Sequence, residues 1–422
     1  MSQSDEMTDP AKENGKAPNA SNYSAARDST KGAFDWDPSL PEHQADPISI
    51  HRQLRAQCPV AHSSQWNGFW TLSKYEDIRA VGVDKDHYTA TVRTIVPSSP
   101  RAGLPRLPLQ ADQPMLGIYR KALSPYFSDP YTLRLEPDIR QLAINLLSPL
   151  IGIPKANVVG DFTEPYTVRA LCAFLGMDDR EAESLRELSL EYVETVQRQD
   201  LRRAGEISRA IDAFAIQLVE DRKANPHDPK TDVTSGLLIA DVAGYGFSDT
   251  EVAGMVRLSL IGGHVVPKNF LGSVLRHFAQ DQALLDHLHQ SPHLIEDAIE
   301  EMLRLYSPNQ ALARTTTCPV NIRGQTIPAN EPVALLFLSA NRDEEIFERP
   351  DEFILGRRPN KHIAFGYGQH ACIGQPFARM QARVMVEELV KRVEKITIIG
   401  PVENAVWPEY GVAAMQARLD PR

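Results

Sequence analysis

One stretch of the chain gathers residue types that do chemistry together: His362-Ile363-Ala364-Phe365-Gly366-Tyr367-Gly368-Gln369-His370-Ala371-Cys372-Ile373-Gly374. Its glycines permit tight turns and a close approach of backbone to a flat ligand. Cys372 stands at the mouth of an amphipathic helix expected over Cys372 to Val393, where the helix dipole and nearby amides stabilise a thiolate. A soft, anionic sulfur held this way is a good axial ligand for heme iron. The competing reading is a small buried residue after a glycine-rich turn, the ordinary state of an isolated cysteine. Cys58, Cys172 and Cys318 are irregularly spaced with no CxxC pair, so neither a disulfide framework nor a structural zinc site is expected. The simplest setting is a reducing, cytoplasmic one.

Two further segments carry polar or helix-breaking residues in telling places. In Glu301-Met302-Leu303-Arg304 the acid and the base share one helix face and can pair. In Leu260-Ile261-Gly262-Gly263-His264-Val265-Val266-Pro267-Lys268-Asn269 an apolar helix carries two glycines and a proline. Pro267 has no N–H, so the Gly263 carbonyl loses its i+4 partner and the helix kinks there.

These segments need elements to position them, and helical patterns dominate. Helices are expected over Pro47 to Cys58 (with Asp46 as N-cap), Lys74 to Val83, Asp112 to Phe127, Pro137 to Leu150, Phe162 to Leu175, Glu181 to Val196 and Arg203 to Asn225. Ser248 and Glu251 form a capping box that opens the longest helix, running to about Gln280 and roughly 50 Å long. Trp66 to Leu72 has strand character, Cys318 to Leu338 reads as short strands with turns, and the C-terminal part has weak strand signals. The expected fold class is mainly α with small β-sheets.

Residues 1–32 contain no Leu, Ile, Val, Phe or Trp and read as a disordered polar tail, leaving 33–422 as a single domain. The net charge of -10 argues against a nucleic-acid binder. Apolar runs such as Val333 to Leu338 fall far short of the ~20 residues a membrane span needs, and no signal peptide is visible, so no membrane anchor is expected.

The F-x-x-G-x-x-x-C-x-G spacing from Phe365 through Gly366 and Cys372 to Gly374 resembles the heme-thiolate loop of the cytochrome P450 family. The resemblance covers nearly all of residues 34–422. It implies heme b held between a long distal helix and the proximal cysteine loop-helix, with Cys372 as axial thiolate. It makes Glu301 and Arg304 a buried structural pair joined by Arg357. It offers Arg120, Arg314 and His370 as partners of the heme propionates, with Leu116 standing where the family usually has a histidine. It places Gly263, Val265, Val266 and Pro267 at the distal oxygen site, Gly262 and Gly263 matching the small residues that leave oxygen room. Val265 and Val266 occupy the places of the acid–alcohol pair that supplies protons for dioxygen activation, and neither can donate one. A water at the freed Gly263 carbonyl, with a substrate hydroxyl, would take over that task. Lys268 and Asn269 are further candidates for that task, although helical phase sets Lys268 off the heme face.

The expected activity is heme-thiolate monooxygenation of a small, mostly apolar substrate, by hydroxylation or O-dealkylation. Methoxy-aromatic and terpenoid-like molecules are the two substrate classes in view. The pocket is expected from the His87 to Pro108 loop, Leu185 to Arg203, the long helix and Pro308 to Leu312. Val92, Ile95, Val96, Leu104 and Leu312 supply apolar lining, and Asn309, Gln310 and Arg93 are the polar candidates. Electrons are expected from a separate ferredoxin and ferredoxin reductase docking near Lys121, Arg379 and Arg383. The alternatives are a peroxide-using or oxidative-coupling heme-thiolate enzyme and, from another class, a non-catalytic heme-binding sensor.

Overall fold

The computed structural model describes residues 36–99 and 103–422, so the expected polar tail lies outside the described residues. The chain opens with α1 (Pro41–Ala45) and α2 (Pro47–Gln57); Asp46 caps α2 by accepting the Ser49 amide at 3.1 Å. Strands β1 (Val60–Ser63) and β2 (Phe69–Leu72), helix α3 (Tyr75–Val83) and strand β3 (Tyr88–Thr89) follow. A helical body comes next: α4 (Met115–Leu123), α5 (Asp129–Leu147), the short β4 (Ala156–Asn157), α6 (Glu164–Leu175), α7 (Ala182–Gln197), α8 (Leu201–Ala224) and α9 (Val233–Ile239). The hairpin β5 (Asp241–Val242) and β6 (Tyr245–Gly246) leads into α10 (Asp249–Gly262), α11 (Val265–Gln280), α12 (Gln282–Gln290) and α13 (Ile295–Leu305). Strands β7 (Ala311–Thr316), β8 (Val320–Ile322), β9 (Gln325–Ile327) and β10 (Pro332–Leu336) precede α14 (Phe337–Ala340), α15 (Gln375–Arg392) and the long hairpin β11 (Val393–Asn404) and β12 (Val412–Pro421).

Two cores result. Apolar faces of α4 to α13 and α15 bury one large helical core. The second lies against a five-stranded sheet of order β1-β2-β10-β7-β3, with Phe69, Leu72, Val333, Leu335 and Ile78 at its centre. The β11/β12 hairpin docks back through its tip: Trp407 donates to the Val96 carbonyl at 2.7 Å and meets Trp36 edge-on at 5.1 Å.

Four expectations need correction. The longest helix is not continuous: α10 ends at Gly262 and α11 begins at Val265. The last bond of α10 runs from Gly263 N–H to Ser259 O, and the first of α11 from Lys268 N–H to His264 O, both 3.0 Å. Two glycines raise the cost of continuing the helix, and Pro267 falls in the first turn of α11, where a missing N–H costs nothing. The break is therefore centred on Gly263-His264 rather than on Pro267. Second, α5 starts at Asp129, eight residues before Pro137, which lies inside it. Pro137 leaves the Leu133 carbonyl without an i+4 donor, and Leu133 is exposed to solvent. Third, Arg314 is not ahead of the first strand of its region but within β7, paired with Val333 of β10. Fourth, β11 and β12 are the longest strands, although their sequence signals are weak: three register irregularities interrupt their alternation.

The strongest polar knot is the expected one. Glu301 and Arg304 are both fully buried on α13 and joined by two bonds of 2.9 and 2.8 Å. Arg357 donates to the same carboxylate at 2.9 and 3.1 Å, and the Ile354 amide and Asn360 side chain complete its shell. Arg304 also donates to the carbonyls of Asn341, Pro350 and Glu352, so the knot ties α13 to the irregular segment that leads to Cys372.

Glu301→Ala leaves two buried guanidinium groups uncompensated and is expected to cost about 3–5 kcal/mol, read as a lower urea midpoint of the holoprotein. A second outcome concerns Glu409 near the hairpin tip. It accepts from Gln197 at 2.5 Å, and burial pushes its carboxyl up to about 7, with Gln197 and the Lys268 charge opposing. Folding then takes up a proton, so this contribution is complete below about pH 4.5, declines as pH rises and is gone above about pH 7, a change on the order of 3 kcal/mol. Glu409→Gln should flatten that decline in urea titrations run from pH 4.5 to 8.

Candidate heme-thiolate site

The proximal side is built on consecutive acids of α13. While Glu301 ties the knot, Glu300 brackets the cysteine loop from both ends: it meets His362 Nε2 at 3.0 Å before the loop and Arg379 Nε at 2.6 Å after it. Those two partners hold its carboxyl down to about 2 against the opposing effect of burial. Glu300 was not singled out from sequence; its place beside Glu301 was the only available signal. Arg379 also stacks over the Phe365 ring at 4.7 Å. Inside the bracket the Cys372 amide donates to the Phe365 carbonyl at 2.8 Å, and Gly366 and Gly368 both take φ of +75°. A Cβ on Gly368 would lie 1.9 Å from the Gly82 carbonyl, so glycine there is what lets α3 pack on the loop. The helix after the loop begins at Gln375 with Gly374 as N-cap, so Cys372 precedes its first turn rather than opening it.

Cys372 is surrounded by protein, yet its side chain is accessible, so the surface it exposes faces an internal space. Burial raises its thiol pKa, while the Gly374 amide and the charges of Arg120 and Arg379 act the other way. A metal at the sulfur would deprotonate it outright.

Two guanidinium groups and a histidine gather at the same loop. Arg120 on α4 donates to the Ala371 carbonyl at 2.8 Å, and burial lowers its pKa. Arg314 is buried, donates to its own neighbour's carbonyl at Ala313, and is pulled down to about 10 by burial. His370 is held down to about 4 by burial and by the Arg314 charge. Among the described residues none of the three forms an ion pair with a carboxylate. Asp112, the acid whose charge reaches Arg314 and His370, is already taken by the Thr89 hydroxyl and the Ala90 amide. Buried cations without a counterion call for an anionic ligand, and heme propionates meet that need. No cluster of three or more His, Cys, Asp or Glu side chains among the described residues could hold a bare metal ion. The residues present therefore fit iron carried by a porphyrin: Cys372 would hold the iron, and Arg120, Arg314 and His370 would hold the propionates.

On the distal side, α4 links the two halves: Tyr119 donates to Glu251 at the start of α10 at 2.7 Å, one residue from Arg120. The two glycines of the break differ. Space around Gly262 is open, whereas a Cβ on Gly263 would meet Leu171 at 2.7 Å. Room at the break is thus at Gly262, and Gly263 serves close packing against α6. Val265 is buried, and Val266 and Pro267 are half-buried. Sequence reading passed over His264, which is fully buried in the break with Nδ1 2.6 Å from the Ser189 hydroxyl. Two other assignments change. Gln310 is committed to the Glu409 carbonyl at 2.7 Å, which removes it as a free substrate contact. Arg379 is engaged by Glu300, and Arg383 by Glu136 and Glu387, so of the three expected docking residues Lys121 remains an exposed cation.

Comparison with known proteins agrees with this geometry. The family model described as Cytochrome P450 matches residues 188–397. The vitamin D(3) 25-hydroxylase of Pseudonocardia autotrophica is 29% identical over 391 residues, covering 89% of this chain and 94% of the relative. The erythromycin C-12 hydroxylase of Saccharopolyspora erythraea is 28% identical over 340 residues, covering 78% and 83%. The structure of a cytochrome P450 from Chondromyces apiculatus superposes with a TM-score of 0.83 at 27% identity, covering 92% of this chain and 99% of that one. No helix among the described residues is long and apolar enough to cross a membrane. Loop, knot, fold and relatives converge: the chain belongs to the cytochrome P450 family and is an oxidoreductase of the monooxygenase type.

Proposed function

We propose that the protein hydroxylates or O-dealkylates a mostly apolar small molecule, with electrons delivered by a separate ferredoxin and ferredoxin reductase. The observation that carries this reading is Cys372, accessible inside the fold and ringed by Arg120, Arg314 and His370 without a carboxylate partner. Heme bound there supplies dioxygen activation and insertion of one oxygen atom into the substrate. The chain's residues do the rest. Arg120 and Arg314 would hold the propionates. The Gly374 amide stabilises the sulfur charge. Gly262 leaves space at the distal break, and Val266 with Leu312 offers apolar surface to the substrate. Vitamin D(3) and erythromycin, named for two relatives, are bulky and carry no aromatic ring, which favours a terpenoid-like substrate over a methoxy-aromatic one.

The distal helix lacks an acid–alcohol pair, and the Gly263 carbonyl lies in the break where a water would be held. Val266→Thr is expected to leave coupling and rate within about twofold of the parent, since a proton source already exists; a gain of tenfold would show that a side-chain donor at this position is what the protein lacks. The heme assignment has its own readout. Reduced protein with carbon monoxide should show the red-shifted Soret band of thiolate ligation, and Cys372→Ser should lose it. Arg314→Ala should weaken heme retention in a transfer assay to apomyoglobin while leaving that band in place. Turnover should depend on the electron-transfer chain; equal turnover with peroxide alone would favour the peroxide-using alternative.

A further inference from the structure

The distal helix has no proton donor at Val265 or Val266, yet a compact set of buried ionisable groups lies directly behind its break. Lys268, on the first turn of α11, is 5% exposed and points its ammonium at Glu164 of α6, 3.7 Å away. Glu164 is itself buried and is also bonded by Arg186 of α7, which pairs outward with Glu183. His264, in the break, bonds Ser189 of α7 through Nδ1; its Nε2 approaches the Glu164 main chain but makes no well-formed hydrogen bond. Glu164, Glu183 and Arg186 also line a cleft of about 450 Å³ that opens to solvent. The groups thus form a file between solvent and the helix break, with Glu164 at the cleft, Lys268 paired to its carboxylate and His264 against its main chain.

We propose that this file is the proton route to the distal site, with Lys268 and Glu164 doing the work that an acid–alcohol pair does elsewhere; this rests on the monooxygenase reading. The overall balance is RH + O2 + 2 e− + 2 H+ → ROH + H2O, with both electrons from the redox partner and both protons from solvent. For each proton, the Lys268 ammonium releases H+ toward the break through His264 or a water beside it; the Glu164 carboxylate then takes up a proton from the cleft and passes it to the neutral amine, which restores the ion pair.

The electrostatics suit the task. Burial, with help from Arg186, lowers the Lys268 pKa, opposed by Glu164 and Glu409. A lysine so placed gives up a proton more readily than one in water. Burial and the charges of Lys268 and Arg186 hold His264 down to about 3, so it stays a neutral imidazole able to accept at one nitrogen and donate at the other. The ordinary alternative is a structural ion pair that pins α11 to α6 and α7.

A substitution set separates the two. Lys268→Arg keeps the charge and the pairing but not the exchangeable proton, because guanidinium does not deprotonate. A proton route predicts that Lys268→Arg and Lys268→Met both lose product per electron pair by about tenfold or more and release peroxide instead. Both should keep the parent's carbon monoxide spectrum and substrate-induced spin shift. A structural pair predicts that arginine restores coupling while methionine does not, and that result would overturn the route. Glu164→Gln should lower coupling as the lysine variants do. A readout independent of turnover is the Lys268 side-chain titration, followed by NMR of lysine-labelled ferrous carbonmonoxy holoprotein. The route requires it below the ordinary lysine value; titration at or above that value overturns it. If the parent shows no thiolate band or no electron-driven turnover, the monooxygenase reading fails instead.

Discussion

The carboxylate of Glu301 is the contact on which the rest of the site depends. It sits with no solvent access and receives two arginines, an amide and an asparagine. A buried charge is tolerated only when paired and hydrogen-bonded, so every partner must arrive together. Those partners come from α13, from the segment 352–360 and, through Arg304, from the carbonyls of Asn341 and Pro350. The irregular stretch before the cysteine has no ladder of its own. Glu301 gives it one shape.

The neighbouring Glu300 extends that order to the loop. By holding His362 and Arg379 it sets the two ends of the turn between which Cys372 is presented. Glycines then allow close contact with α3, and Arg120 reaches in from α4 to the Ala371 carbonyl. Beside His370, the guanidinium groups of Arg120 and Arg314 form an edge with no carboxylate partner among the described residues. A fold that leaves such groups unsatisfied is incomplete without an anionic ligand.

The distal side shows the opposite economy. In the proposed reading of the distal side, Val265 and Val266 present carbon where the family carries a polar pair. Charge has moved behind the helix, to Lys268 and Glu164, and the backbone has opened at Gly263-His264 between them and the pocket. The same break that creates room at Gly262 brings the His264 imidazole into line with the buried ion pair.

Much of this was legible in residue spacing. The loop from Phe365 to Gly374, the pair Glu301 and Arg304, and the capping box at Ser248 rest on short-range geometry, where spacing along a helix or turn dictates which groups meet; Arg357, 56 residues from Glu301, came from the family resemblance. The mainly helical class followed from periodicity for the same reason. Long-range choices were not legible. Whether α10 and α11 form one helix depends on how two glycines and a proline weigh against packing on α6 and α7, and that balance is tertiary. Whether Arg379 faces a partner or Glu300, and whether Gln310 faces a substrate or Glu409, depends on chain segments 79 and 99 residues apart. The β11/β12 hairpin is long because its tip docks on Val96 and Trp36, although its own alternation is weak. The sequence by itself determined the cysteine loop, the Glu301–Arg304 pair and the two valines before Pro267, because each is a local pattern. Only the tertiary structure decided where the displaced charges sit, because burial and pairing across helices are properties of the assembled core.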